Sequence, residues 1–306
     1  MTGTRRQHHV WRSYLETWAT DAQIFCLQGA RIFRSNVANV GVERDFYKLH
    51  TLTDADIQGI RLLMSTGPSV ATPVLENFIT IFGAFGRLKA KLPPNLVKDA
   101  ELLALLDHAI INTAEDFHAQ IEGDIAPIFD AIRRKDLSFY DNPDLCGQFT
   151  HFLSLQNLRT KGVRHRALAK PTEIPGFSLE RSWNVLTHMM AVHAGGSLKL
   201  ERKSRPLLLL ENNTNLSFIT GDQPVVNLLH APVPGQPPTL LAFYYPVSPS
   251  LGVVLDEVEA RSGYRTGPVS IDQVRKLNHE IHAAAHTQLF GSSWEVLKSL
   301  MTEGIC

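Results

Sequence analysis

One predicted helix has an apolar face that turns polar at its end, and its polar side chains could take part in binding or catalysis. Phe149, Phe152 and Leu153 lie on one face by helical spacing, and Gln156 and Arg159 continue that face. A buried polar group without a partner costs roughly 2–7 kcal/mol, so these two side chains should meet an acidic residue or a ligand. A structural pair between arginine and a carboxylate is one interpretation, and a phosphate-binding patch is the other. The patch would include the acid-free basic run Arg159, Lys161, Arg164, Arg166 and Lys170.

Asp222 is a lone carboxylate at a corner that the backbone makes rigid. The apolar run 216–219 predicts a buried strand that stops abruptly, and Pro224 excludes both a helix and an interior strand pairing beyond it. A corner of this kind fixes one carboxylate at a sheet edge, where it could act as a base or bind a metal. Arg159 and Gln156 are its candidate partners. A purely structural lock between Asp222 and Arg159 would use the same residues.

Two further clusters have spacings that occur in metal sites. Glu115, His118 and Glu122 share a helix face, but the Glu-x-x-His spacing of di-iron bundles needs a second such motif, which this chain lacks. His282 and His286 are four residues apart, like the ligands of a metalloprotease helix, but the residues between them are alanines. A solvated acidic face and an accidental histidine cluster are the alternatives. A divalent metal stays a candidate cofactor.

The elements that must position these side chains change type along the chain. Helical periodicity dominates the middle, and short apolar runs follow it. This order predicts an α+β fold with a helical middle section packed around a small, mainly antiparallel C-terminal sheet. A single domain over residues 1–306 is predicted, in four segments. These are a mixed N-terminal segment (1–50), a helical section (51–196), a β-rich section (205–256) and C-terminal helices (270–301).

Capping and breaking residues predict the boundaries of individual elements. A hairpin is predicted around Gly29. Helices are predicted over 72–91, 96–121, 125–134, 142–160, 178–193 and 270–290, and strands over 206–210, 216–219, 240–245 and 251–255. Gly123 should end or kink one helix, and the pair Gly195-Gly196 should end another. The stretch 162–176, which contains glycine and proline, should be a loop.

Charge and cysteine content exclude several classes of protein. Lysine plus arginine equals aspartate plus glutamate, at 30 each, so no global field favours nucleic acid or membranes. Three widely spaced cysteines, Cys26, Cys146 and Cys306, argue against a disulfide framework and for a reducing compartment. The N-terminus lacks the apolar core of a signal peptide, and no apolar run approaches the roughly 20 residues that span a bilayer. These features predict a cytoplasmic protein without membrane association.

Several short motifs, in their order along the chain, resemble the bacterial family designated domain of unknown function 4238. The start, Gln7-His8-His9-Val10, is similar to the opening of that family, although Trp11 stands where the family usually has proline. The other similar segments are Tyr14-Leu15 with Trp18, Arg44-Asp45-Phe46-Tyr47, Ile121-Glu122, 152–156 with Arg159-Thr160 and Arg164, Thr220-Gly221-Asp222-Gln223-Pro224, Tyr245-Pro246-Val247-Ser248-Pro249, and Leu277-Asn278. The ordered set spans nearly the whole chain. The resemblance implies that these polar positions form one constellation, and the family's designation gives it no activity.

The leading hypothesis is a hydrolase that acts on a phosphate-bearing substrate, such as a nuclease-type effector. Asp222 and Glu122 would bind a metal or act as base, and His8 would be a general acid–base. Gln156 and Arg159 would hold phosphate oxygens. A phosphate-bearing small molecule or a nucleic acid would be the partner. The predicted substrate-binding residues are Gln156, Arg159, Thr160, Arg164 and Asn278.

The alternative hypothesis is a non-catalytic binding or regulatory module. In it, Arg159, Glu122 and Asp222 would form a buried ionic network that locks helices to the sheet. Motifs that are typical of known enzyme classes are missing from the sequence. The chain has no phosphate loop, no dinucleotide-binding glycine pattern and no Gly-x-Ser-x-Gly turn. The sequence therefore leaves the substrate and the oligomeric state open.

Overall fold

The structure of the protein, a computed structural model, describes residues 5–65, 67, 72–170, 173–229, 238–257 and 261–302. These residues form an α+β fold, which confirms the predicted fold class. The helices are α1 (Arg12–Leu15), α2 (Asp54–Met64), α3 (Thr72–Ala90), α4 (Ala100–Arg133), α5 (Pro143–Leu158), α6 (Lys161–Leu168), α7 (Leu179–Leu200), α8 (Ile271–Ala284) and α9 (Trp294–Thr302). The strands are β1 (Arg6–His8), β2 (Gln23–Gln28), β3 (Arg31–Asn36), β4 (Val42–Arg44), β5 (Leu207–Glu211), β6 (Thr220–Gly221), β7 (Val226–Asn227), β8 (Phe243–Ser248), β9 (Leu251–Leu255), β10 (Gly267–Pro268) and β11 (Leu289–Gly291).

The strands of the described residues form three sheets. The largest has the order β10-β5-β9-β8-β7 and is antiparallel except for the pair β10–β5. A second sheet, β3-β2-β11-β6, joins the predicted N-terminal hairpin to two C-terminal strands. The third pairs β1 with β4. The prediction of one small C-terminal sheet therefore covers only part of the observed β structure.

The largest sheet has apolar side chains on both faces, because successive residues of a strand point to opposite sides. Tyr245 and Val253 belong to a core with α4, α5 and the N-terminal aromatic residues, where the rings of Tyr14 and Tyr245 stack at 4.8 Å. Tyr244 and Val254 belong to a second core with α8 and α9. A third core lies among α2, α3, α4 and α7. The helical section thus contacts the sheet through α4 and α5.

Two helices continue through glycines that were predicted to interrupt them. Helix α4 continues through both Gly123 and Pro127, because Ile125, Ile128 and Phe129, which follow Gly123, are buried in the core. Full burial of such side chains contributes about 1.5–3 kcal/mol each, which outweighs the roughly 3 kcal/mol cost of an interior proline. Helix α7 passes Gly195, where a Cβ atom would lie 2.7 Å from the Cα of His151 on α5. This glycine permits a close approach of two helices rather than ending one.

Helix α6 occupies part of the stretch that was predicted to be a loop. Its N-cap is Thr160, whose hydroxyl accepts a hydrogen bond from the backbone N of Val163 at 3.5 Å. A hydroxyl at this position satisfies one of the unpaired N–H groups of a first helical turn. The basic run therefore lies on a short helix, and a break still separates it from α5.

Phe218 and Ile219 are buried, but the 216–219 segment does not form the predicted strand, because side chains bind its backbone groups. Asn278 accepts a hydrogen bond from Ile219 N at 3.0 Å and donates one to Ser217 O at 2.9 Å. Trp18 Nε1 donates to Phe218 O at 2.9 Å. Since these contacts satisfy groups that a strand ladder would otherwise pair, the apolar residues fill the core without strand geometry.

Candidate functional site

Arg159 is the centre of a buried polar cluster built by α4, α5 and the N-terminal segment. Its side chain is 2% exposed, and Nη2 donates to Glu122 Oε1 at 2.5 Å and to Gln156 Oε1 at 2.6 Å. Gln156 Nε2 donates to the backbone O of His9 at 3.3 Å. Three of the predicted site residues are therefore in contact, and the ion-pair partner of Arg159 is Glu122.

The position of Arg159 follows from the packing of α5. Phe152 and Leu155 are buried, and Arg159 is the C-cap residue of the same helix. Burial works to lower the pKa of Arg159, but attraction to Tyr47 and Glu122 raises it overall, so the guanidinium stays charged. Burial raises the pKa of Glu122 although Arg159 acts in the opposite direction. The cluster thus holds a buried charge together with a carboxyl group that Arg159 orients.

Glu115 is a second carboxyl group in the field of Arg159, two helical turns before Glu122 on α4. Burial raises the pKa of Glu115 to about 7, while Arg159 lowers it and Glu122 raises it further. A carboxyl group with a pKa near neutrality can both donate and accept a proton at physiological pH. In the sequence, Glu115 stands out only as part of the Glu-x-x-His spacing with His118. The seven-residue spacing from Glu122 is the signal that places both side chains on one helix face.

His8 lies on β1, next in sequence to His9, whose backbone O accepts the hydrogen bond from Gln156, and is half-buried. The Nε2 atom of His8 is buried and has no hydrogen-bond partner among the described residues. Burial lowers the pKa of His8, and the charges of Arg12, Arg6 and Arg159 lower it further, against a hydrogen bond to the backbone of Val37. The imidazole is therefore neutral at neutral pH.

Asp222 binds a turn of the backbone instead of Arg159. It is fully buried, and its Oδ1 accepts from His286 N at 2.7 Å. Its Oδ2 accepts from Thr287 N at 2.7 Å, from Thr287 Oγ1 at 2.8 Å and from Gln288 N at 3.1 Å. The pairing of Asp222 with Arg159 and Gln156 that the sequence suggested is replaced by these contacts. Asp222 fixes the 286–288 turn against β6.

Thr160 and Arg164 make contacts within the protein. Besides capping α6, the Thr160 hydroxyl hydrogen-bonds the side chain of Gln223, which connects α5 and α6 to the Thr220–Pro224 motif. The guanidinium of Arg164 lies 5.5 Å from the centre of the Phe46 ring and 3.8 Å from Glu180. These two predicted binding residues, like Asn278, are thus used at least in part to join elements.

Two surface hollows flank the Thr220–Pro224 motif. One, of about 380 Å³, lies beside the turn that Asp222 binds, and the other, of about 400 Å³, lies between α6 and α8. Arg159, Glu122 and His8 line neither of them. The residues of the first that bear polar side chains are Gln28, His282, His286, Thr287 and Gln288, and those of the second are Asn157, Arg166, Gln223, Asn227 and Glu280.

The part of the chain that the structure describes contains no group of three or more His, Cys, Asp or Glu side chains placed to hold a metal ion. His286 contacts His165 instead, with ring centres 5.1 Å apart. Cys26 and Cys146 are buried free thiols, and Cys306 lies outside the described residues. No helix among the described residues is both long enough and apolar enough to cross a bilayer.

A family model described as "Protein of unknown function (DUF4238)" matches residues 6–295. The chain belongs to the DUF4238 family. No curated protein and no solved structure matches it. In this DUF4238 protein, Trp11 has φ −53° and ψ 121°. These angles are ones that proline also adopts, so the family's usual proline would fit the same backbone.

The DUF4238 protein also contains a buried pair of histidines, His118 and His188, which are 70 residues apart in the sequence. The rings of His118 on α4 and His188 on α7 stack at 4.9 Å, and the ring of Phe78 on α3 lies 5.1 Å from His188. The Nδ1 atoms of both histidines are buried without a hydrogen-bond partner among the described residues. Burial lowers the pKa of His188 to about 3 and that of His118 well below its usual range. Both imidazoles are neutral in the folded state.

Acid should therefore destabilise the DUF4238 protein through His188. Its pKa is about 3 when folded and about 6.5 when unfolded, so the unfolded state takes up a proton first as the pH falls. The contribution of His188 to the free energy of unfolding is fully present above pH 6.5 and is lost progressively between pH 6.5 and 3. At pH 5 the loss from this one residue is roughly 2 kcal/mol. We expect His188→Leu to flatten the pH dependence of urea unfolding between pH 7 and 5.

His279→Leu, which replaces an exposed histidine on α8, is the control for this measurement. An equal slope in the parent and in His188→Leu would show that His188 is not the group that titrates.

Proposed function

We propose that this protein is a hydrolase of a phosphate-bearing substrate and that the Arg159 cluster is its catalytic centre. The setting of His8 is the observation that supports this proposal most. Its buried Nε2 has no partner among the described residues, and the positive charges of Arg12, Arg6 and Arg159 act on the imidazole. Positive charge attracts phosphate oxygens, and a neutral imidazole can accept a proton from an attacking water.

The roles within the cluster differ from those inferred from the sequence. Two guanidinium nitrogens of Arg159 donate to Glu122 and Gln156, so we assign Arg159 to positioning Glu122 rather than to holding phosphate. Glu115, whose pKa of about 7 keeps much of it protonated at neutral pH, would donate a proton to the leaving oxygen. Asp222 has no role in the proposed reaction, because four donors already occupy its carboxylate.

The proposed substrates range from small phosphate esters to nucleic acids. If the substrate is a nucleic acid, the protein would be a nuclease-type effector. We also propose that the reaction takes place in the cytoplasm. Cys26 and Cys146 are unpaired and buried, which suits a reducing compartment.

A non-catalytic module is the second candidate, and one specific observation favours it. The Arg159 side chain is only 2% exposed, and its bonds to Glu122 and Gln156 join α4 to α5. A network of this kind could hold the two helices together without any substrate. The two candidates differ in what they predict for His8, which does not take part in the network's hydrogen bonds.

Hydrolysis assays test the proposal directly. The full-length protein is incubated with p-nitrophenyl phosphate, bis(p-nitrophenyl) phosphate and labelled single-stranded RNA and DNA, each with Mg²⁺, Mn²⁺ or a chelator. We expect hydrolysis of at least one of them, and His8→Ala should lower kcat/KM by roughly 10²–10⁴-fold, the usual contribution of general acid–base catalysis. The matched control is His279→Ala, which removes an exposed histidine on α8.

Two results would contradict the proposal. Hydrolysis of none of the substrates by the parent would favour the non-catalytic module. Hydrolysis that His8→Ala leaves unchanged would place the active site away from the Arg159 cluster.

A further inference from the structure

Exposed large apolar side chains are concentrated in one part of the chain. Seven of the nine such residues lie between positions 62 and 105, on α2, on α3, on α4 and on the segment before α4. Scattered exposed apolar residues are normal, but a contiguous group marks an interaction surface. The seven residues are Leu62, Leu63, Val74, Ile81, Leu88, Val97 and Leu105.

Helix α3 bears a regular apolar stripe along its solvent side. Val74, Ile81 and Leu88 recur every seven residues and are 38%, 47% and 53% exposed. The polar Asn77 and the small Ala84 lie between them and are exposed as well. A spacing of three and four residues repeated over two heptads, with β-branched residues at the first two apolar positions, is the pattern of a helix that packs against another helix. The opposite side of α3 is already buried in the third core.

The stripe is complementary to itself when two copies of α3 run antiparallel. A two-fold axis at Ile81 would place Ile81 against its own copy and Val74 of each chain against Leu88 of the other, because residue i then contacts residue j and j contacts i. Large apolar side chains would meet at each of these positions. A parallel arrangement would instead oppose identical residues along the whole helix.

The charges beside the stripe fit the same arrangement. Glu76 and Arg87 lie on one flank of α3, at opposite ends. Antiparallel pairing would bring Glu76 of each chain close to Arg87 of the other, since the two are placed almost symmetrically about Ile81. Glu76 is held within its own chain by Arg61 at 2.7 Å, whereas Arg87 forms no ion pair within the described residues. The second copy would therefore give Arg87 a carboxylate partner, and a parallel pairing would bring like charges together.

The stripe of α3 alone is smaller than a standard dimer interface. A helix of 19 residues is about 28 Å long and about 10 Å wide. The area of one side of it is therefore smaller than the roughly 800 Å² that each partner buries in a standard interface. The neighbouring helices supply further apolar surface. Leu62 and Leu63 lie on α2, which the Arg61–Glu76 pair joins to one flank of α3, and Leu105 lies on α4, which Lys89 and Asp107 join to the other flank.

We propose that this protein forms a two-fold symmetric dimer in which the exposed stripe of α3 packs antiparallel against the same stripe of a second copy. The dimer interface is separate from the Arg159 cluster, so it does not depend on the proposed hydrolase activity.

Sedimentation and light scattering over a range of concentrations test the dimer. We expect the full-length parent to be dimeric at micromolar concentrations, and Ile81→Glu to weaken self-association at least 100-fold because it places two carboxylates at the two-fold axis. Trp294→Glu is the matched control and should leave the dimer intact. Trp294 is 41% exposed and lies on α9, which packs in the second core, whereas α3 packs in the third. Circular dichroism of Ile81→Glu should be unchanged, as the substituted side chain is already half-exposed.

Cross-linking tests the direction of the helices. In a Cys306→Ser background, where Cys26 and Cys146 are buried, a short bis-maleimide should link two copies of Ile81→Cys. A mixture of Val74→Cys and Leu88→Cys chains of different mass should give the mixed dimer, and Val74→Cys alone should not cross-link to itself.

A monomeric parent at all concentrations would overturn the proposal, and in that case a different protein helix or a lipid surface would have to cover the stripe. Self-linking of Val74→Cys without the mixed dimer would overturn the antiparallel arrangement. A dimer that both Ile81→Glu and Trp294→Glu leave intact would place the interface elsewhere.

Discussion

Asp222→Ala should lower the free energy of unfolding by on the order of 4 kcal/mol, the sum expected when several buried hydrogen bonds to one charged group are lost. The carboxylate accepts from three backbone N–H groups, those of His286, Thr287 and Gln288, and from the Thr287 hydroxyl. Alanine would leave these donors without a partner in the protein. Urea unfolding monitored by circular dichroism at pH 7 measures the loss.

Two comparisons make this prediction specific to the turn. Asp222→Asn keeps one acceptor oxygen and should lose only part of the stability that Asp222→Ala loses. Asp272→Ala removes an acidic side chain that is 85% exposed, in the first turn of α8, and should change stability by no more than about 0.5 kcal/mol. An Asp222→Ala protein as stable as the parent, but inactive in the hydrolysis assays, would restore the catalytic role that the sequence suggested for Asp222.

The second large effect should come from breaking the Arg159–Glu122 pair. Arg159→Met leaves the Glu122 carboxyl group unpaired, and Glu122→Gln leaves a buried guanidinium without its counter-charge. Removal of one member of a buried ion pair costs about 3–5 kcal/mol. We expect the double variant Arg159→Met/Glu122→Gln to lose at least roughly 2 kcal/mol less than the two single losses added together, because neighbouring residues couple. Urea unfolding of the four proteins gives this coupling energy.

The exposed pair of Arg12 and Glu16 provides the control cycle. Its side chains are 55% and 44% exposed and 3.2 Å apart, so its coupling energy should stay below about 0.5 kcal/mol. Strictly additive losses for Arg159 and Glu122 would show that the buried pair does not hold α4 to α5.

The same variants separate the two candidate functions. If the protein is a hydrolase, Glu122→Gln should lose activity under conditions in which it is still folded, and His8→Ala should lose activity with little change in stability. If the cluster is purely structural, Glu122→Gln should lose stability, and the parent should hydrolyse none of the substrates. Stability and turnover measured on the same preparations therefore distinguish a positioning role of Arg159 from a lock between helices.

Local patterns predicted much of the architecture because they record interactions between near neighbours. Asn142 before Pro143 indicated the start of α5, and the Asn142 side chain accepts from Asp144 N at 2.9 Å, as a cap residue does. Continuous apolar runs indicated β5 and β9, which are paired in the largest sheet. The apolar stripe of α5 that turns polar indicated that Gln156 and Arg159 are buried and partnered, and both are.

Contacts between distant residues were beyond the reach of such patterns. Glu122 lies 37 residues before Arg159, and the turn that Asp222 binds begins 64 residues after it. Several acidic residues were equally acceptable partners for one arginine, and only the packing of α4 against α5 selected Glu122. Likewise, Gly195 has the sequence character of a helix end, yet it lies within α7. A glycine is needed there because α5 approaches too closely for a side chain.

The sequence by itself thus determined the fold class, most of the helices and the need for a buried charge partner at Arg159. The tertiary structure alone decided which carboxylate fills that role and that Asp222 binds a backbone turn. It also decided that the charge of Arg159 lowers the pKa of both Glu115 and His8. The physical reason is that helix periodicity, capping and burial are local properties. The pairing of charges depends on distances between elements, which are fixed only when the cores pack.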